Sequence, residues 1–260
     1  MASKTEKRGK EILRLLLSRG KTSVEELTDQ LATSPASIRR DLARLEEQGL
    51  VHRTHGGAML AGNTYEPFRF DADFQVRSER FAPEKQRIAQ AAVDLVRDDE
   101  TIGFTAGTTT TQVARLLRLR SGLRIITNAV NIGMELSANT TLDTYLTGGC
   151  IRWPGAFSLV GPAAIESLNL LVVDKLFLGV TGIQLDYGVT VIQPDEAAVC
   201  RAMSRRAKQV IVVADSSKVG MVSPAVICPV REIHTLVTDD GISDKASRAF
   251  EDSGVHVIAV

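Results

Sequence analysis

The chain has 260 residues, 44% hydrophobic and 5% aromatic, with 31 basic side chains against 31 acidic ones. Such a composition implies a globular protein of one large or two ordinary domains. The balanced charge excludes an overall field for polyanions, and the scarcity of aromatics argues against a base-stacking platform. Cys150, Cys200 and Cys228 are odd in number, far apart and outside any CxxC, so neither a disulfide framework nor a zinc knuckle is expected. No run approaches the roughly 20 apolar residues of a membrane span, and MASKTEKRGKEILRLLL lacks a signal-peptide cleavage site. A cytoplasmic chain with no membrane partner, metal or cofactor is expected. The neutrality is uneven: residues 1–60 carry 11 Lys+Arg against 8 Asp+Glu, net +3, and the remainder 20 against 23, net −3.

In chain order, Ile12, Leu13, Leu15, Leu16 and Leu17 mark a first helix, closed by Arg19-Gly20. Ser23 is the expected N-cap of a second, with Glu25 and Glu26 in its first turn and Val24, Leu27 and Leu31 as its buried stripe. Ser34 caps a third, Pro35 occupies its first position, and Ile38, Leu42 and Leu45 face inward. A short hairpin through Gly56-Gly57 follows. Residues 61–83 lose periodicity and read as a linker, with helix conceivable over Asp71–Arg80. After a helix at Glu84–Asp98, strands at Thr101–Thr105, Leu123–Thr127, Leu142–Thr147, Lys175–Val180, Gln209–Ala214, His234–Thr238 and Val255–Val260 alternate with helices. The alternation predicts a mainly parallel sheet covered on both faces. The expected organisation is α/β overall: a small N-terminal domain over 1–60, the linker, and a larger α/β domain over 84–260.

The string SVEELTDQLATSPASIRRDL, two short helices joined by a tight turn, has helix-turn-helix spacing. With Ile38, Leu42 and Leu45 inward, a 100° step per residue puts Ala36, Ser37, Arg40 and Arg44 outward, with Arg39 on the flank. Small residues, Ser34 among them, permit close approach to base edges, and arginine binds guanine or phosphate. Arg53 and His55 in the hairpin are placed to act as a wing. An isolated IRRDL is as readily a solvated arginine face; the cap, Pro35, the preceding helix and the hairpin together favour DNA.

At SVEELTDQLATSPASIRRDLARLEEQGLVHRTHGGAML the sequence closely resembles the DNA-binding head of the DeoR family of bacterial transcription regulators. The likeness continues through EKQRIAQAAVDLV, AGTTTTQVARLL, ITNAVNI, TGGCIR, SLVGP, DKLFLGVTGI, DEAAVCRAM and ADSSK. It implies a winged helix-turn-helix joined to a sensor domain similar to ribose-5-phosphate isomerase. Members usually repress sugar-catabolic operons and respond to a phosphorylated metabolite. The implied partners are double-stranded operator DNA, a phosphorylated sugar or similar effector, and further copies of the chain in a homodimer or homotetramer.

The residues of the second domain agree. A strand runs into Ala106-Gly107 and four threonines at the head of a helix, where unpaired amides and hydroxyls bind anions well. Thr108, Thr109, Thr110 and Lys218 are assigned to phosphate, Asn128 and Arg152 to hydroxyls or a second anion, Asp195 and Glu196 to sugar hydroxyls; the alternatives are surface salt bridges for Lys218 and Arg152 and, for Glu196, service to the helix N-terminus of AAVCRAM. Gly148 and Gly149, and Gly179 and Gly182 around Thr181, also follow strands, where ligands of open α/β sheets bind. The family commonly carries Asp where this chain has Thr105, which leaves the effector's identity open and weakens an enediol isomerase reading. That isomerase with an accessory head is the alternative; a dinucleotide enzyme lacks its glycine fingerprint.

Overall fold

The computed structural model describes residues 8–9, 11–13, 15–16, 21–47, 51–54, 56–60, 72–118, 120–152 and 157–260. The chain divides into two compact units, Met1–Phe70 and Asp71–Val260. In the first, residues 8–16 are helical wherever described (α1). Strand β1 (Lys21–Ser23), helix α2 (Val24–Gln30), helix α3 (Pro35–Glu47) and strands β2 (Val51–Thr54) and β3 (Gly57–Leu60) follow. Ser23 caps α2 in a capping box: its Oγ accepts from the Glu26 amide at 3.1 Å, and the Glu26 carboxylate accepts from the Ser23 amide at 2.9 Å. The Ser34 Oγ accepts from the Ser37 amide at 3.3 Å ahead of Pro35. Ile12, Leu16, Leu27, Ile38, Leu42, Leu45, Val51 and Ala58 form the core of the unit. The expected hairpin is extended by β1 into an antiparallel sheet of order β1-β3-β2. Gly57 makes this possible, since a Cβ there would stand 2.3 Å from the Thr22 carbonyl oxygen.

The second unit opens with α4 (Ala72–Glu79) and α5 (Ala82–Val93), so part of the segment expected as a linker is helical. Seven strands follow in one sheet: β4 (Thr101–Phe104), β5 (Arg124–Thr127), β6 (Asp143–Leu146), β9 (Val173–Leu178), β12 (Ala207–Val213), β14 (Thr235–Thr238) and β15 (His256–Ala259). All pairings are parallel and the order is β15-β14-β12-β9-β4-β5-β6. Each strand lies within two residues of its expected bounds. Neighbouring side chains enter opposite cores: Phe177, Ile211, Val213 and Val237 pack with α5, α6 (Thr108–Leu117) and α7 (Val130–Ser137), while Leu176, Leu178, Val210, Val212 and Leu236 pack with α8 (Pro162–Leu168), α9 (Pro194–Arg205) and α10 (Asp244–Asp252).

Two smaller sheets depart from the expected strand–helix alternation. Strands β7 (Cys150–Arg152) and β8 (Ser158–Val160) form an antiparallel pair. Strands β10 (Gly182–Gln184), β11 (Gly188–Val191) and β13 (Ala225–Cys228) form a three-stranded antiparallel sheet. β11 is buried along its whole length and thus carries no alternation to read. In the seven-stranded sheet the chain runs from β4 outward to β5 and β6, then returns to β9 on the other side of β4 before continuing outward. The β4/β9 boundary is therefore a topological switch point, where the loops leaving two adjacent strands diverge and open a crevice.

Candidate functional site

In the first unit, Ser34, Ala36, Arg39 and Arg40 are exposed at the N-terminal half of α3, and Ser37 is half-buried among them. The Arg40 side chain lies along its own helix, with Nε 3.4 Å from the Ala36 carbonyl. Arg39 and Arg53 border one groove of about 310 Å³ between the start of α3 and the β2–β3 hairpin. The exposed Arg53 is held by Glu46, whose carboxylate accepts from its amide at 2.9 Å. Arg44 departs from the expected outward face. Its guanidinium is 3.7 Å from Asp41, which is only 3% exposed and also takes Arg8, so Arg44 braces the bundle. The reason is local: Asp41 falls on the Ile38–Leu42–Leu45 stripe, and its buried charge draws the arginine one turn on. His55 lies outside the described residues.

In the second unit a cleft of about 350 Å³ lies at the switch point, along the C-terminal ends of β4, β9 and β12. Gly107, Thr108, Thr109, Gly179, Thr181, Glu196 and Lys218, all expected site residues, line it. Gly107 and Gly179 bring the two loops together: a Cβ on either would stand 3.6 Å from the other's Cα, and one on Gly179 would stand 3.2 Å from the Ala106 carbonyl oxygen. Thr105 fastens this junction, its Oγ1 accepting from the Gly179 amide at 2.9 Å while wholly buried. The N-terminus of α6 has no side-chain cap, which leaves its first amides to solvent or a ligand. Lys218 stands on a 3-10 turn at Ser216–Lys218. That turn is anchored by Asp239, whose carboxylate accepts from the Ser216 amide at 2.6 Å, the Ser216 hydroxyl at 2.7 Å and the Gly241 amide at 3.0 Å. Burial pushes Asp239 up, but these donors outweigh it and hold its carboxyl below the ordinary range.

Other expected residues stand away from the cleft lining. Thr110 is fully buried and donates to the Gly107 carbonyl at 3.0 Å, so its hydroxyl is used in closing the turn. Asn128 is fully buried, and its Nδ2 donates to the Leu159 carbonyl at 3.2 Å, tying β5 to the β7–β8 pair. Gly148, Gly149 and Gly182 are outside the lining; a Cβ on Gly149 would meet the Val160 carbonyl oxygen at 2.5 Å, and on Gly182 the Met221 carbonyl oxygen at 2.4 Å. These two glycines serve backbone packing. Asp195 is exposed on the first turn of α9. Arg152 reaches the cleft indirectly through Glu196, at 3.5 Å. Burial raises the Glu196 carboxyl above the ordinary range, with Arg152 and Arg77 pulling the other way.

A larger groove of about 520 Å³ lies at the opposite, N-terminal ends of the strands. Its lysines are matched by carboxylates: Lys175 pairs with Glu100, and Lys208 with Asp174 at 2.7 Å. The cleft at the switch point has a different balance, with Arg77, Arg80, Lys85 and Lys218 against Glu196 and Asp215.

Residues 8–64 match the family model described as the DeoR-like helix-turn-helix domain, and residues 80–240 match the DeoR C terminal sensor domain. The chain belongs to the DeoR family. Among DeoR-family relatives, the HTH-type transcriptional regulator GlpR of Haloferax volcanii is 32% identical over 96% of this chain and 96% of its own. The HTH-type transcriptional repressors CsqR of Escherichia coli and GlcR of Bacillus subtilis are 31% and 33% identical, covering 95% and 88% of this chain and 93% and 86% of theirs. Ribose 5-phosphate isomerase of Methanocaldococcus jannaschii is 20% identical with a TM-score of 0.39, over 54% of this chain and 55% of that one, a likeness too distant to bear on activity. This DeoR-family chain is thus a transcriptional regulator with a helix-turn-helix DNA-binding unit and an α/β sensor unit. Among its described residues no helix is long and apolar enough to cross a membrane.

Among the cleft residues of the sensor that sequence reasoning missed are three cationic ones, Arg77, Arg80 and Lys85. The first two fall in the segment expected as linker, where their three-residue spacing was the available signal for a shared helical face. Lys85 falls on a helix read only for its apolar stripe.

Proposed function

We propose that this regulator represses a carbohydrate-catabolic operon from the cytoplasm, binding double-stranded operator DNA as a homodimer or homotetramer and releasing it when a phosphorylated sugar occupies the switch-point cleft. One observation carries the effector reading: an uncapped helix N-terminus and an excess of cationic side chains share a crevice at the C-terminal ends of parallel strands. Thr108 and Thr109 offer amides and hydroxyls to phosphate, Lys218 offers charge, and Glu196 offers an acceptor for a sugar hydroxyl. On the DNA side, Ala36, Ser37, Arg39 and Arg40 reach bases and phosphates, with Arg53 on the wing. One recognition helix buries too little surface for useful specificity, which favours paired half-sites spaced by whole turns of roughly 34–36 Å.

The cleft is read as binding rather than catalytic. Isomerisation needs a poised carboxylate base, whereas Glu196 is engaged by Arg152 and Asp215 accepts from the Ser217 hydroxyl. Incubation with aldose phosphates is expected to give no turnover. The deciding experiment measures binding to promoter fragments and to random duplex, with and without a panel of phosphorylated sugars. Preference for one fragment, relieved by one of the sugars, is expected; equal affinity for every duplex overturns the proposal.

A further inference from the structure

Thr181 and Ser223 both line the switch-point cleft, and their hydroxyls meet there at 2.8 Å. Their surroundings fix which of the two holds the shared proton. The Thr190 backbone carbonyl accepts from the Thr181 amide at 3.0 Å and stands 3.1 Å from the Thr181 Oγ1. A carbonyl oxygen has two lone pairs and no proton to give, so the single hydroxyl proton of Thr181 goes to it. Thr181 then meets Ser223 with lone pairs only, and the proton between the two hydroxyls is that of Ser223. With this proton engaged, the Ser223 Oγ is left as an acceptor. Among the described residues no amide or side chain donates to it. The backbone beneath is held as firmly. The Ser223 amide donates at 2.9 Å to the Oγ1 of the wholly buried Thr190, whose own proton goes to the Gly182 carbonyl at 3.2 Å. The same loop is pinned at Gly220, whose amide donates to the Ile183 carbonyl at 2.8 Å.

We propose that Ser223 is a specificity-determining residue of the sensor, its Oγ accepting from one hydroxyl of the bound sugar phosphate, and that Thr181 is the positioning residue that engages the serine proton. The inference rests on the reading of the cleft as the effector site. A lone acceptor recognises a group with a proton to give, and it meets the oxygen of a phosphate, a carbonyl or an ether with lone pair against lone pair. An ammonium also carries protons, but cationic side chains already outnumber anionic ones in this cleft, which disfavours a further positive charge. A neutral hydroxyl meets both conditions. The α6 N-terminus and Lys218 therefore take the anionic end of the molecule, and Ser223 takes its polyol end. Thr181 lies two residues beyond Gly179, which touches the Gly107 turn. At no more than roughly 3.6 Å per residue, the hydroxyl pair is within reach of a sugar whose phosphate is bound at that turn.

The test uses the full-length protein and titration calorimetry. D-ribose 5-phosphate, D-glucose 6-phosphate, D-fructose 6-phosphate and D-galactose 6-phosphate are screened first. The tightest is then compared with its monodeoxyfluoro analogues, in which fluorine replaces one hydroxyl and removes its proton. For wild type, one analogue is expected to bind about tenfold or more weakly than the parent sugar. Ser223→Ala should lower the parent to the level of that analogue and move the analogue by less than about twofold, so that the discrimination disappears. Thr181→Val, which removes the hydroxyl and frees the serine proton, should shrink the discrimination by about threefold or more, while Thr181→Ser should keep it. A merely structural threonine would weaken parent and analogue alike. Should Ser223→Ala fail to fold, Thr181→Val with the analogue series decides the matter alone. If wild type discriminates against no analogue, or Ser223→Ala weakens parent and analogues by one factor, while Thr109→Glu abolishes binding, the role of Ser223 is overturned and the cleft reading stands. If no sugar phosphate of the panel binds wild type, the cleft reading fails and this inference fails with it.

Discussion

Arg40 and Arg44 sit four residues apart on α3, yet their surroundings give them different work. Arg40 is exposed, whereas Arg44 is drawn to the buried Asp41. Arg40→Ala is expected to lower operator affinity by about 1–3 kcal/mol with folding unchanged, as a gel-shift titration would measure. Thr109 is a buried lining residue at the α6 N-terminus, so Thr109→Glu places a carboxylate where an anion is expected to bind. The variant should lose its response to phosphorylated sugars and keep its operator affinity; a retained response would remove the phosphate assignment. Asp239 links charge to pH. Its folded value lies below that of the unfolded chain, so its contribution is fully present above the unfolded carboxyl's range and is lost as pH falls through the folded value. Asp239→Asn should therefore flatten the acid limb of a stability–pH curve while loosening the Ser216–Lys218 turn that carries Lys218 into the cleft.

At the level of elements, the capping box that starts α2 is worth roughly 1 kcal/mol, and Ser23→Ala should lower the stability of the N-terminal unit by that amount in denaturant titration. Asp41→Ala strands Arg8 and Arg44; because both arginines are partly solvated, a loss of roughly 2–3 kcal/mol is expected rather than the full cost of breaking a buried pair. These elements differ in how far the sequence announces them. The seven strands of the parallel sheet are legible because each apolar run is bounded by polar or glycine turns. The helices of the N-terminal unit are legible because their caps and apolar stripes agree. The β10-β11-β13 sheet falls outside what the sequence announces, because β10 and β11 are antiparallel and joined by three residues, with no intervening helix to continue the strand–helix alternation. Helix α4 is not announced by its own residues, because what seats it lies outside it: Phe157, far along the chain, packs on Phe74, and Lys85 of the next helix takes the Arg77 carbonyl.

For the whole molecule, two compact units imply two unfolding transitions, of which the effector should raise only that of the sensor unit. At an effector concentration of about 100 times Kd the gain is about 2.7 kcal/mol, a rise of roughly 5–10 °C for a unit of this size, measurable by scanning calorimetry. A single transition that the effector raises as a whole would show that the units unfold as one body. That Thr108, Thr109, Gly179 and Lys218 line one cleft was readable locally, from polar or glycine residues just past strand ends. The places of Arg77, Arg80 and Lys85 in that lining were not; and of the residues that look like ligand contacts in sequence, Thr110 and Asn128 are turned inward and Arg44 is held against the buried Asp41. What the amino-acid order determined by itself was the set of helices and strands, their division between a helix-turn-helix head and a parallel α/β unit, and the family. Those rest on caps, turns and periodicities that act over a few residues. Only the tertiary structure decided which polar side chains meet in the cleft, because the direction of each depends on carbonyls and carboxylates brought alongside from far along the chain.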